Sequence, residues 1–316
     1  MTTQVDTSYH LLAARYLRKQ VKQLARQLDG ARRAEDVEFI HRARVASRRL
    51  RAGMRMFAEC FDADPLKKWR KQIRQVTKGL GDARDKDVQI EFLTGVLDRL
   101  EEKACYPGIA RLMVKLQRQR ERLQPKVVAA VDRLQAGGAL RRMPEAMKRI
   151  LVEAKNQDVD QRSEYSLAKT GGHIRDRLEA MLPHEESLAD PAARERHHAM
   201  RIAAKRFRYT LEISMPVHGK SLDESIAAAK DVQTLLGKIH DCDVWMDNLD
   251  AFAAKEERRI RKLYGHAGPF VSLNVGIEYL REDRHRYRDR TFGQLVAYWE
   301  ELKRRRQWEK LKALIA

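Results

Sequence analysis

A chain of 316 residues with 43% hydrophobic and only 7% aromatic residues has enough apolar content for packed cores, which excludes a disordered chain, and too few aromatics to favour an all-β fold. Its 64 Lys and Arg against 45 Asp and Glu leave a net charge of +19, an excess that folding does not need and that points to anionic partners: nucleic acid, acidic membrane or polyphosphorylated molecules. Cys60, Cys105 and Cys242 are far apart and form no C-x-x-C pair, so neither a zinc site nor a disulfide framework is indicated; with no signal-peptide pattern and no apolar run of about 18 residues, a cytoplasmic protein without a membrane span is expected.

Gly and Pro are sparse, at 16 and 8, and helical periodicity runs through most of the chain. The pattern predicts a first amphipathic helix over 8–28, stopped at Asp29-Gly30, and a second over 34–61. A third covers 65–80 with Pro65 in its first turn, Leu80-Gly81-Asp82 reads as a turn, and helix resumes over 85–103. Another helix spans 108–135 up to Gly137-Gly138, and 144–155 reads as part of a connector. The pattern then restarts, with helices over 163–181, 192–215 and 221–236, a second Leu-Gly turn at Leu236-Gly237, a break at 265–269 and a long last helix from Asn274.

The restart is a repeat. The string from His41, HRARVASRRLR, aligns with HAMRIAAKRFR from His198 at an offset of 157 residues. Leu80-Gly81-Asp-Ala-Arg84-Asp85-Lys-Asp87 aligns with Leu236-Gly237-Lys-Ile-His240-Asp241-Cys-Asp243 at an offset of 156. Two motifs in the same order with one residue of drift mark a tandem duplication: a first bundle over 1–140, a connector over 141–160 and a second bundle over 161–316.

On a helix, steps of three or four residues return to one face. His41, Arg44, Arg48, Arg51 and Arg55 therefore form a basic stripe, with Ala43, Ala46, Leu50, Met54 and Phe57 as an apolar stripe beside it. His198, Arg201, Lys205 and Arg208 repeat the first, and Met200, Ala203, Phe207 and Leu211 the second. Because each basic stripe borders the packing face, it is expected to line a groove between helices, with both stripes facing one groove. A solvated face normally mixes charge signs. Here there is no acid between Arg42 and Arg55, between Arg196 and Arg208, or between Lys67 and Lys78. Guanidinium groups bind phosphate oxygens in pairs, and a ladder of them suits a polymer of closely repeated negative charge.

These residues resemble the CHAD family, the conserved histidine α-helical domain; the H-x-x-R-V-x-x-R-R-L-R string at His41 and the L-G-D-x-R-D-x-D-V string at Leu80 carry the resemblance, with weaker copies at His198 and Leu236. The resemblance implies an all-α fold of two tandem four-helix bundles related by a pseudo-two-fold axis. It also implies a basic groove that binds inorganic polyphosphate; because the sequence offers no nucleophile, base or metal constellation, binding without turnover and without a cofactor is expected. Transferred onto this sequence, the contacts are His41, Arg44, Arg48, Arg51, His198, Arg201, Lys205 and Arg208, joined on the next helix of each half by Arg74 and Lys230. Arg55 and Lys78 extend the acid-free stretches and are included, while Arg49 and Arg206 lie about 100° round the helix and rank below them. The second half departs from the pattern at Lys205, where the first has Arg48, and at His240, where it has Arg84. Family members are often fused to a triphosphate-tunnel domain with an E-x-E-x-K motif, which is not found here.

Three other readings compete. His240-Asp241 is a His-Asp dipeptide of the kind metal phosphohydrolases use, but its aligned partner is Arg84-Asp85 and Arg is no metal ligand. His41 and His198 are each flanked by Arg, which disfavours a bound cation and leaves hydrogen bonding to an anion or packing. Nonspecific nucleic-acid binding draws on the same side chains, with Lys303-Arg304-Arg305-Arg306 as a further cluster, although the stripes lack stacking aromatics until Tyr209. Sulfate or phosphate ions are further candidate occupants of the groove, and association with polyphosphate granules in the cytoplasm is the expected location.

Overall fold

The apolar periodicity of the chain resolves into ten α-helices in a computed structural model that describes residues 6–316, with no strand among them. Leu17, Val21, Leu24 and Leu28 put one buried stripe on α1 (Ser8–Arg33). This helix runs past the expected stop because Gly30 serves packing: the Phe39 ring lies where a Cβ would stand, 2.4 Å away. Ala34, at φ 54°, ends it. The Asp36 carboxylate then accepts a hydrogen bond from the Glu38 backbone N–H at 2.8 Å and opens α2 (Val37–Met56), which is shorter at both ends than expected.

The two Leu-Gly turns are not turns. Gly81 lies inside α3 (Ala63–Leu97), and Gly237 inside α8 (Asp223–Tyr264), each a single continuous helix. One helical glycine costs about 1 kcal/mol relative to alanine. The fully buried faces that continue across each position, through Val76, Leu80 and Ala83 in α3 and Val232, Leu236 and Ile239 in α8, outweigh that cost. The stretch read as a connector is also structure: α5 (Ala139–Asn156) buries Met143 and Met147 completely in the first core. In the second half, Arg306 at φ 53° stops α9 (Gly268–Arg304), and α10 (Gln307–Leu314) turns back to bury Trp308 and Leu311, so the last expected helix is two.

The helices sort into three cores. The first packs α1, α2, the N-terminal part of α3, the C-terminal part of α4 (Tyr106–Ala136) and α5. The second packs α6 (Glu164–Glu179), α7 (Arg194–His218), the first part of α8, the last part of α9 and α10. The element order is thus the same in both halves, α1–α5 and α6–α10. The third core is shared: Leu93, Ile109, Leu112 and Leu116 of one half pack with Trp245, Leu249, Phe252, Ile277 and Leu280 of the other.

Backbones touch at this junction. A Cβ on Gly108 would stand 2.0 Å from the Leu273 carbonyl oxygen, and one on Gly276 would stand 2.1 Å from that of Cys105. Both pairs relate by one offset of 168 residues, so the contact is reciprocal, as an isologous interface between related halves requires. Two ion pairs with buried carboxylates follow the repeat offsets. Asp87 of α3 pairs with Arg120 of α4 at 2.6 Å, and Asp243 of α8 with Arg288 of α9 at 2.7 Å. The second acid of each D-x-D motif therefore ties its hairpin together.

Candidate functional site

The apolar stripes of α2 and α7 are buried as expected: Ala43, Leu50, Met54 and Phe57 are fully covered, and so are Met200, Phe207 and Leu211. Packing those faces turns the adjoining basic stripes towards each other where α2 meets α7. A cleft of about 390 Å³ lies there, lined by His41, Arg44 and Arg48 from α2, Arg84 and Asp85 from α3, Arg201 from α7, and His240 and Asp241 from α8. Lys205 stands beside it. Arg44 and Arg201 line the same cleft.

The charges in the cleft are poorly compensated. Arg44 pairs with Asp85 at 3.4 Å, and Gly81 makes room for it, since a Cβ there would stand 2.7 Å from the Arg44 Nη1. The Lys205 ammonium is pushed down to about 8 by burial and by Arg48, Arg201 and Arg44. Burial also lowers the Arg201 guanidinium, opposed by Asp241 and reinforced by Arg48 and Arg44. In the same enclosure burial holds the Asp241 carboxyl above its ordinary value, against the pull of Arg201. A group of cations kept near one another at this energetic cost marks a candidate functional site.

The histidines differ between the halves. His41 lines the cleft, with its imidazole lowered by burial and by Arg84. His198 meets His240, Nδ1 to Nδ1 at 3.2 Å, so one ring must donate and the other accept. Burial, Arg201 and His198 push His240 down to about 4, which keeps it neutral near pH 7. Among the described residues, no three His, Cys, Asp or Glu side chains gather as a metal-binding group.

The remaining expected residues divide. Arg51, Arg55 and Arg74 line a second basic pocket where α2 meets α3. Arg206 lines a third, with Arg55, Arg177 and His173, although it lies off the stripe. Arg208 is tied up within its own half, to Glu212 at 2.9 Å and to the Gln233 side-chain oxygen at 2.9 Å, and Arg49 reaches the same Glu212 at 3.4 Å. Lys78 and Lys230 are exposed and line neither the cleft nor the second pocket. Arg84 and Asp241, absent from the expected contacts, carry a readable signal: they stand in the aligned Leu-Gly motifs one turn beyond the glycine that receives the stripe arginine.

The sequence matches the family model described as CHAD domain over residues 15–250. No curated protein matches it. Solved structures that share the fold include two. One is the CHAD domain from the plant Ricinus communis, with 22% identity, 90% of this chain and 94% of that one covered, and a TM-score of 0.58. The other is PptA from Streptomyces chartreusis, with 17% identity, 92% and 99% covered, and a TM-score of 0.57. With three quarters of its length matched, and with the duplicated motifs that frame its central cleft, the chain belongs to the CHAD family.

Proposed function

We propose that this protein binds inorganic polyphosphate in the cleft between its halves and does not turn it over. The observation that carries the reading is the crowding of Arg44, Arg48, Arg201 and Lys205, drawn from both halves, around one cleft with fewer acids than cations. A polymer of closely spaced phosphates neutralises such a ladder, with guanidinium groups taking its oxygens in pairs. Nucleic acid is the alternative, and the aromatic side chains speak against base stacking. Trp245, at the cleft wall, is buried against Phe92, and Tyr209 lies buried between Arg48 and Arg208. No helix among the described residues is long and apolar enough to cross a membrane. Residence at polyphosphate stores in the cytoplasm belongs to the same proposal.

The test is competition of labelled polyphosphate against RNA and duplex DNA at near-physiological salt. Polyphosphate is expected to win, with affinity falling steeply as salt rises. Arg48→Glu removes a charge-assisted contact and adds repulsion, so it should weaken binding about tenfold or more. Arg304→Glu makes the same charge change on an exposed position outside both stripes and should cost much less. Equal losses would reduce the protein to a diffuse polycation. Steady phosphate release from polyphosphate with Mg²⁺ or Mn²⁺, lost on Asp241→Asn, would make it an enzyme instead.

A further inference from the structure

The cleft is balanced at its centre, where Arg44 and Arg48 correspond to Arg201 and Lys205 at the repeat offset of 157, but its two ends differ. We propose that a long polyphosphate chain leaves the cleft in one direction only, over the first half, along a basic track that α2 and α3 build beyond Arg48. This rests on the polyphosphate reading above and assigns the route of the same ligand.

The repeat offsets expose the difference. Along α2 the stripe continues from Arg51 to Arg55; at the same offset of 157, α7 continues from Arg208 to Glu212. Glu212 closes on Arg208 and on Arg49, so the second half neutralises its own stripe where the first extends it. The next helix repeats the contrast. Lys67, Lys68 and Lys71 of α3 correspond, at an offset of 156, to Asp223, Glu224 and Ala227 of α8. The register is secure, because buried Leu66, Val76 and Leu80 fall on buried Leu222, Val232 and Leu236.

On the first half these cations form one feature. Arg51, Arg55, Lys67, Lys68, Lys71 and Arg74 line a pocket of about 680 Å³, larger than the central cleft, with Asp64 the acid on its wall. Arg51, which lines this pocket and follows Arg48 on the α2 stripe, joins it to the cleft: beyond burial, its guanidinium feels both Arg74 and Arg48. Arg48 in turn acts on Lys205 and Arg201. From Arg44 to Arg55 the track advances about 16 Å along the helix axis, at 1.5 Å per residue. A chain of a few phosphates sits within the central cleft; a long one must continue, and beyond the shared stripe positions α2 and α3 offer it cations where the aligned positions of α7 and α8 hold Glu212, Asp223 and Glu224.

The experiment compares two charge-matched double variants on the full-length protein, each with tripolyphosphate and with long-chain polyphosphate. Lys68→Ala with Lys71→Ala removes two cations from the track. Lys220→Ala with Lys238→Ala removes two exposed cations from the second half. The first pair should weaken long-chain binding about tenfold, which at 1.4 kcal/mol per decade is within reach of two phosphate contacts, and leave tripolyphosphate unchanged. The second pair should alter neither by more than about twofold, the effect of diffuse charge alone. Equal long-chain losses for the two pairs, or an equal loss of tripolyphosphate binding in the first, would overturn the one-sided route while leaving the cleft in place. If Arg48→Glu costs nothing, the central cleft fails as the site and the route falls with it.

Discussion

Arg44 lies across α3 at a point where a side chain would displace it, and that gives the glycine of the Leu-Gly motif its role. Gly81 is helical, so its value is space rather than backbone freedom. Gly81→Ala would push only the tip of the flexible Arg44 side chain, while alanine gains up to about 1 kcal/mol of helix propensity. The variant is expected to be as stable as the parent or more so, and to bind polyphosphate several-fold more weakly; a drop in the urea midpoint would contradict this. At Gly237 the nearest atom is the Arg201 Nε at 3.9 Å, an ordinary contact, so Gly237→Ala should stabilise without loss of affinity. Lys205 supplies the pH dependence. Its ammonium is lowered to about 8 from an ordinary 10.5, so between those values the unfolded chain holds a proton that the folded chain has released. Stability from this group therefore rises with pH across that window, and below about pH 8 the charged amine carries its full burial cost. A bound polyanion favours the ammonium, so affinity should fall as pH rises through about 8. Binding isotherms at pH 7 and pH 9 should show the fall in the parent and a flatter response in Lys205→Arg, whose guanidinium stays charged.

Helices α3 and α8 show where local reading of the sequence ends. The repeat, both basic stripes and their buried neighbours were legible because 3.6-residue periodicity is a property of one helix at a time. A glycine followed by acids looks like a turn on the same local grounds, and its true role depends on an arginine from another helix lying against it. Glu212 was invisible as a neutralising group for the same reason: it acts on Arg49 only once α7 packs on α2. The acid-free run from Lys67 to Lys78 was visible, but its union with Arg51 and Arg55 needed the α2–α3 packing. Gly108 and Gly276 look unremarkable in the sequence, yet α4 and α9 cross there with each glycine against a carbonyl of the other hairpin. Backbone cannot move aside as a side-chain tip can, so Gly276→Ala should cost about 1–3 kcal/mol or more. Gly293→Ala, in the same helix with nothing within 4 Å, should gain up to about 1 kcal/mol. Urea midpoints that do not separate the two variants would mean that the helices are not in contact at Gly276.

At the scale of the whole molecule, three cores do not make three folding units. Tyr209, Ile213 and Val217 of α7 belong to the first core although their helix is part of the second half. The third core exists only when both hairpins are present, since Leu93, Ile109 and Leu112 have Trp245, Phe252 and Ile277 as their cover. Neither half can unfold without exposing apolar surface of the other. A chain of this length would ordinarily be free to unfold in stages. Here the shared burial predicts a single cooperative transition. Trp69 reports on the first core, and Trp299 and Trp308 on the second. Variants retaining only Trp69 or only Trp308 should give coincident urea midpoints by fluorescence; two separated midpoints would show that the halves are independent. Urea is the denaturant of choice because guanidinium chloride would also screen the clustered cations. The cleft proposed for polyphosphate is walled by both halves, so the ligand should couple them as well. A ligand bound to the folded state alone at a hundred times its Kd stabilises by about 2.7 kcal/mol. Both tryptophan reporters should then shift upwards together, and by the same amount. A shift confined to the Trp69 reporter would place the bound chain on the first half alone, and Arg201 and Lys205 would no longer count as part of its site.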